Sequence, residues 1–334
     1  MRRLYHYKRL RADKVQLVKI CDKITQEYKA QNLKLTLRQL YYQLVSKAII
    51  PNEEKWYKLI STILSDGRLA GAIDWEAIED RVRRPKSPPE FESLAQLIEA
   101  AVSSYRLPRM EGQDTYVELW VEKDALAGVL EPIAYKYHIV LMVNRGYSSQ
   151  SAMHDAAIRI DAACRNDDGD VCKDATILYL GDLDPSGEDM VYDIEDRIMR
   201  FLKGGYDIDE AMELRSKGED ANNVARLSPC GIKINKGDII VPLTIEKLAL
   251  TMDQVRKYAP PPHPAKRSDT RAQKFIDKFG ESSWEVDALP PAVLRRIITA
   301  RLNQMIAHDK VDEIKEREKH DIARLRSLVE DQEL

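Results

Sequence analysis

Apolar residues recur at helical spacing through the first third of the chain. Val15, Val18, Ile20, Cys21, Ile24 and Tyr28 fall roughly on one face and predict a first amphipathic helix. Thr36-Leu37-Arg38-Gln39 has the form of a capping box ahead of an apolar run, which predicts a short helix from about Leu37 to Lys47. Ile49-Ile50-Pro51-Asn52 breaks that helix, and Asn52 is placed to cap a third one, whose buried face is Trp56, Leu59, Ile60, Ile63 and Leu64. Asp66-Gly67 is expected to end it. Helix, turn, helix and then the β-compatible Ala72-Ile73-Asp74-Trp75 predict a winged helix-turn-helix domain over residues 1–84.

Beyond the Pro-rich, charged run RRPKSPPEFE at 83–92, the period changes. Residues 85–112 are expected to form a linker or crossover, and residues 113–334 a second domain. Tyr116 to Val121, His138 to Val143 and Thr176 to Leu180 predict strands. Helices are expected at about Ala125 to Tyr137, Ser148 to Cys164 and Gly187 to Leu202. This alternation implies an α/β, Rossmann-like fold with a mainly parallel sheet. The tail from Asp309 alternates charges at helical spacing and predicts a terminal helix packed on that domain.

Charge separates the two parts. The chain of 334 residues carries a net charge of −3, but residues 1–112 hold 21 Lys and Arg against 14 Asp and Glu. A basic first domain fits contact with a phosphate backbone, and an acidic second one fits carboxylates that gather a metal ion. Lys55, Lys58 and Arg68 on the third helix are candidate DNA contacts; a solvated helix face is the other reading of them. The four cysteines have neither disulfide nor zinc-ligand spacing. With no apolar run of membrane length, a cytoplasmic, DNA-associated protein without a membrane partner is expected.

In parallel sheets, sites form at the carboxyl ends of strands. Glu122 ends the first strand, and Asp182 and Asp184 follow the third in Leu180-Gly181-Asp182-Leu183-Asp184-Pro185-Ser186-Gly187. Alternation in extended chain lets Asp182 and Asp184 point to one side. Clustered carboxylates repel unless a cation compensates, and hard oxygen donors suit Mg²⁺. Turn formation and helix capping are the plainer roles for the same aspartates. On the second predicted helix, Tyr41 shares the buried stripe with Leu37, Leu44 and Val45, whereas Tyr42 is rotated off it, one turn beyond Arg38. A phenol is a weak nucleophile at its ordinary pKa near 10, so attack on phosphorus needs a cation such as Arg38 beside it.

These motifs, in this order, resemble the A subunit of topoisomerase VI and the related meiotic double-strand-break protein. That family joins a winged-helix domain bearing R-x-x-Y-Y to a Toprim domain with a strand-terminal Glu, usually followed by Lys, and a later D-x-D-P-x-G. The matching residues are Arg38, Tyr41 and Tyr42; Glu122 and Lys123; and Asp182, Asp184, Pro185 and Gly187. Gly146-Tyr147, the run from Leu248 to Gln254 and the run Trp284-Glu285-Val286-Asp287-Ala288-Leu289 extend the likeness.

The resemblance implies a type IIB topoisomerase A-subunit-like protein. It acts as a homodimer in which Tyr42 of one subunit meets the Mg²⁺ site (Glu122, Asp182, Asp184) of the other and becomes linked to a DNA 5′-phosphate. Lys123 joins the DNA-contacting set. The chain lacks a G-x-x-x-x-G-K-[ST] loop, so strand passage implies a separate GHKL-type ATPase B subunit. Three other readings stand beside this one: a Toprim metal-dependent nuclease of the plasmid-defence type that does not require the tyrosine, a non-catalytic DNA-binding subunit, and a phosphatase with an Asp nucleophile. The last is disfavoured because Glu122 stands where that Asp belongs.

Overall fold

The computed structural model describes residues 2, 4–6, 12–31, 33–78, 88–205, 209, 212–213, 216–218, 226–235, 238–265 and 269–330. Helices α1 (Ala12–Lys29), α2 (Leu37–Ser46) and α3 (Glu54–Leu69) pack around Cys21, Leu35, Leu40, Leu44, Ile60 and Ile63. The capping box forms: Gln39 N donates to Thr36 Oγ1 at 3.3 Å, and Thr36 N donates to Gln39 Oε1 at 2.8 Å.

Three local expectations fail, each for a tertiary reason. Asn52 does not cap α3, whose N-cap is Glu53 without a side-chain bond; its Oδ1 instead accepts from the Tyr41 hydroxyl at 3.0 Å. Gly67 does not end α3. It lies inside the helix because a Cβ there would stand 2.9 Å from Ile73 Cδ1, so glycine serves close packing. The segment after α3 forms no wing hairpin among the described residues: Trp75–Ala77 is a 3₁₀ turn, and Leu4–Ala70 and Leu35–Ile78 are isolated bridges. Residues 79–87, which include the end of the expected first domain and residues 85–87 of the expected linker, lie outside the described residues.

The second part is a four-stranded parallel sheet. Its strands β1 (Thr115–Val121), β2 (Val140–Val143), β3 (Asp174–Leu180) and β6 (Leu243–Ala249) lie in the order β2-β1-β3-β6. Between them fall the short pair β4 (Arg226–Leu227) and β5 (Lys233–Ile234). Helices α5 (Ala127–Tyr137), α6 (Gln150–Cys164) and α7 (Pro185–Leu202) make the crossovers, close to the expected bounds. Val117, Leu119, Val121 and Leu178 pack on α5 and on α10 (Pro291–Met305), while Trp120, Ile177 and Tyr179 pack on α6 and α7. Glu118 breaks the apolar run of β1 and is fully buried. Arg159 binds it with two bonds of 2.8 and 2.9 Å, and Tyr116 and Trp120 each donate at 2.7 Å, so no buried acceptor is left bare.

After β6 come α8 (Met252–Tyr258), β7 (His263–Pro264), α9 (Ala272–Phe279), β8 (Ser282–Ser283) and a 3₁₀ turn, Val286–Ala288. That turn joins the two parts, since Val286 belongs to the sheet core and Ala288 to the helical core. The region expected to be linker contains helix α4 (Leu94–Ser104), which packs on α11 (His308–Glu330). Just beyond α4, Leu107 N and Arg109 Nη2 each donate to Glu318 at 2.8 Å, and the Tyr105 hydroxyl donates to Asp321 at 2.8 Å. No helix among the described residues is long and apolar enough to cross a membrane.

Leu178 lies fully buried on β3 at the centre of the sheet. Leu178→Ala is expected to lower unfolding free energy by about 2–5 kcal/mol in a urea titration; a loss under about 1 kcal/mol would mean that this strand is not the core.

Candidate functional site

The chain leaves β1 and enters α5 on one side of the sheet, then crosses back to β3 on the other side of β1. The carboxyl ends of β1 and β3 are therefore neighbours at a topological switch point, where an open α/β sheet leaves a crevice. Glu122 follows β1 and Asp182 follows β3, and Glu122 Oε2 accepts the Asp182 amide at 3.0 Å. Asp184 turns away to cap α7, accepting from Gly187 N at 2.6 Å and from Ser186 Oγ at 3.1 Å. The capping role is thus real for Asp184, and the expectation that Asp182 and Asp184 share one direction is met only in part. Gly187 is required here, because a Cβ would stand 2.3 Å from the Asp182 carbonyl oxygen.

A second strand-like segment completes the site. Leu183 and Trp284 exchange backbone bonds of 2.8 and 3.0 Å, and Val286 N donates to Asp182 Oδ1 at 2.8 Å. This pairing delivers Glu285 and Asp287 beside the strand ends. Lys123, next to Glu122, reaches Asp182 at 2.9 Å, Glu285 at 2.9 Å and Asp287 at 3.2 Å. From the other part of the molecule, α2 supplies Arg38, whose Nη2 binds Glu285 and whose Nε lies 2.9 Å from Asp287 Oδ2. The Tyr42 hydroxyl donates to Glu285 Oε2 at 2.7 Å and lies 3.5 Å from His263 Nε2, which is itself 3.4 Å from Asn52 Nδ2.

Three carboxylates, Asp182, Glu285 and Asp287, therefore contact two cations, Arg38 and Lys123, with Glu122 bound to the Asp182 amide beside them. Lys247 is close, donating to the Asp182 carbonyl at 2.7 Å, but is also tied to Glu188 at 2.5 Å. Burial, with the Glu122 charge adding and Lys123 opposing, lifts Asp182 to about 7. Burial likewise raises Glu122, with Asp184 adding and Lys123 opposing, and it raises Asp287. Glu285 is the exception: burial opposes ionisation, yet Lys123, the Tyr42 hydrogen bond and Arg38 hold its carboxyl well below the usual range. Burial and then Glu285 push the Tyr42 phenol well above its ordinary value. In this conformation Tyr42 is a neutral donor and not a phenolate.

Several expectations change. Helical phase places Tyr42 off the buried stripe, but the structure does not separate it from Tyr41: Gln39 through Leu44 are all buried, and Tyr42, only 4% exposed, packs with Tyr41 in the helical core. It meets Glu285 within its own chain, whereas the resemblance implies a meeting across two subunits. Lys123 faces inward onto carboxylates. Lys55 and Lys58 are exposed, at 71% and 74%, on a helix face where they pair with Glu53 and Glu54. Arg68 is not part of that face: its guanidinium stacks 4.5 Å over Trp75 and donates to the Trp75 carbonyl. Glu285, Asp287 and His263 were not predicted as site residues.

Among the described residues no three His, Cys, Asp or Glu side chains are arranged as a metal cage. The donor type nonetheless fits Mg²⁺, since Glu122, Asp182 and Asp184 offer hard oxygen donors at adjoining strand ends. Lys123 holds the Asp182 Oδ2 that a third ligand would use. Compared with protein-family models, with curated proteins and with solved structures, the chain matches none.

Because Asp182 binds its proton more tightly in the folded chain, its stabilising contribution is complete below the ordinary carboxylate range and is lost as pH rises through about 7. Asp182→Asn cannot ionise. In EDTA its melting temperature, relative to the unmutated chain, is expected to climb as pH goes from about 5 to about 8; a flat or falling difference would contradict the raised proton affinity.

Proposed function

We propose that the chain is a type IIB topoisomerase A-subunit-like protein that cleaves double-stranded DNA by transesterification through Tyr42. One observation carries the reading: a tyrosine hydroxyl and the two cations Arg38 and Lys123 meet at a single carboxylate oxygen, beside the acidic strand ends of a parallel sheet.

Such an arrangement supplies the parts that the reaction needs. Tyr42 Oη attacks phosphorus, the bond to the 3′-oxygen breaks, and a 5′-phosphotyrosyl link forms while the phenolic proton leaves to a base. Arg38 neutralises a non-bridging oxygen as charge grows in the transition state. Exchange of one phosphodiester for another keeps the reaction reversible. Glu122, Asp182 and Asp184 are the residues that would hold Mg²⁺, and the bound ion supplies Lewis-acid stabilisation of the phosphate. Lys123 must leave Asp182 for this, and a DNA phosphate is the natural new partner for its ammonium. Lys55 and Lys58 fit sequence-independent contact with the backbone of the same duplex. Opposed breaks in two strands need two tyrosines, so the active species in this reading is a homodimer, served for strand passage by an ATPase subunit.

A second reading, metal-dependent hydrolysis without the tyrosine, is favoured by the burial and raised pKa of Tyr42. The two separate cleanly. With supercoiled plasmid and Mg²⁺, followed by denaturation, protein is expected on DNA 5′ ends, and Tyr42→Phe is expected to abolish both adduct and cleavage. Cleavage that persists in Tyr42→Phe with free 5′ ends would establish the hydrolase instead. Glu122→Ala is expected to lower cleavage by roughly 100-fold or more under either chemistry.

A further inference from the structure

The hydroxyl of Tyr42 is covered by an acid. Glu285 Oε2 takes bonds from Tyr42 at 2.7 Å and Lys123 at 2.9 Å, as well as from Arg38, and Asp287 takes the remaining faces of the same two cations. His263, on the strand paired with β8, closes the other side at 3.5 Å. A duplex cannot present a phosphate to a hydroxyl so enclosed, so α2 must part from this segment before Tyr42 can act.

A carboxylate and a phosphodiester offer guanidinium and ammonium groups the same thing: a single negative charge shared over two oxygens. We propose that Glu285, with Asp287 behind it, is an internal stand-in for the DNA phosphate that keeps Arg38 and Tyr42 closed until a backbone phosphate displaces it. The inference rests on the proposed reading of Arg38 and Tyr42 as a DNA-phosphate site. The alternative that Glu285 is the proton acceptor for Tyr42 fits less well, because Lys123 and Arg38 hold its carboxyl in the ionised form and make it a weak base.

Closure lowers the apparent affinity for DNA by the fraction of molecules that are open. Loosening the latch must therefore tighten binding, the reverse of what removing a structural ion pair does.

The test is anisotropy of a fluorescein-labelled 30-base-pair duplex in EDTA, where no metal-dependent cleavage intervenes. Glu285→Gln is expected to bind at least about fivefold tighter than the unmutated chain. Glu246→Gln makes the same charge change at a carboxylate paired with Arg301, and it is expected to leave affinity unchanged. Glu285→Asp keeps the charge but shortens the reach, so it is expected to bind more tightly by a smaller factor that net charge cannot explain. In parallel, nitration of Tyr42, read by peptide mass, is expected to be negligible in the unmutated chain and to appear in Glu285→Gln. Affinity no higher in Glu285→Gln than in Glu246→Gln, with Tyr42 still protected, would overturn the latch. Nitration released in Glu285→Gln without duplex binding by any variant would keep the latch and refute DNA as its ligand.

Discussion

Everything at the junction of the two parts hangs on pairing two cations, the largely buried Lys123 and the partly exposed Arg38, among an excess of carboxylates. Taking an ammonium such as that of Lys123 out of water costs several kcal/mol, which only close pairing recovers, whereas Arg38 keeps part of its hydration. Arg38 and Lys123 obtain their pairing from Glu285, Asp287 and Asp182, so α2, β1 and the segment after β8 are held in one arrangement. Among the described residues, Ala288 is the buried side chain that the second part lends to the helical core. A joint that includes such charge pairs answers to competing ions in a way that an apolar joint does not.

Burial, with neighbouring negative charge adding to it, explains why the strand ends are chemically unusual. A parallel sheet forces β1 and β3 to end side by side, and the amide of Asp182 then binds the Glu122 carboxylate. The backbone fixes the crowding, so protonation, Lys123 or an added cation must relieve it. Asp184 relieves part of it by capping α7, which also places one carboxylate at the positive end of that helix.

Features governed by neighbours in the chain were readable in advance. The box of Thr36 with Gln39 and the strand exits at Glu122 and Asp182 follow from local rules of period and capping, whereas helical phase did not separate Tyr42 from Tyr41, since both are buried in one core. Contacts across the fold were not readable. Glu285 stands 243 residues from Tyr42, and nothing in the run around Trp284 signals that its carboxylate closes over a phenol. The bond between Asn52 and Tyr41 likewise overrode the capping preference of Asn, and the close approach of Ile73 overrode the reading of Gly67 as a helix terminator. His263 in the Pro-rich stretch carried no periodic signal, since its place is set by a two-residue pairing with β8.

The docking of α4 on α11 has a bearing on how the chain comes to be folded. Leu107, just after α4, is bound by a carboxylate 211 positions further along, so the segment that carries the buried Val102 must wait through synthesis of the whole sheet before its partner helix exists. During that interval the early domain and the sheet can mature separately while the apolar helix between them stays uncovered, the kind of surface that chaperones hold. Closure of the chain by its late helix makes assembly of the protein a final, long-range event.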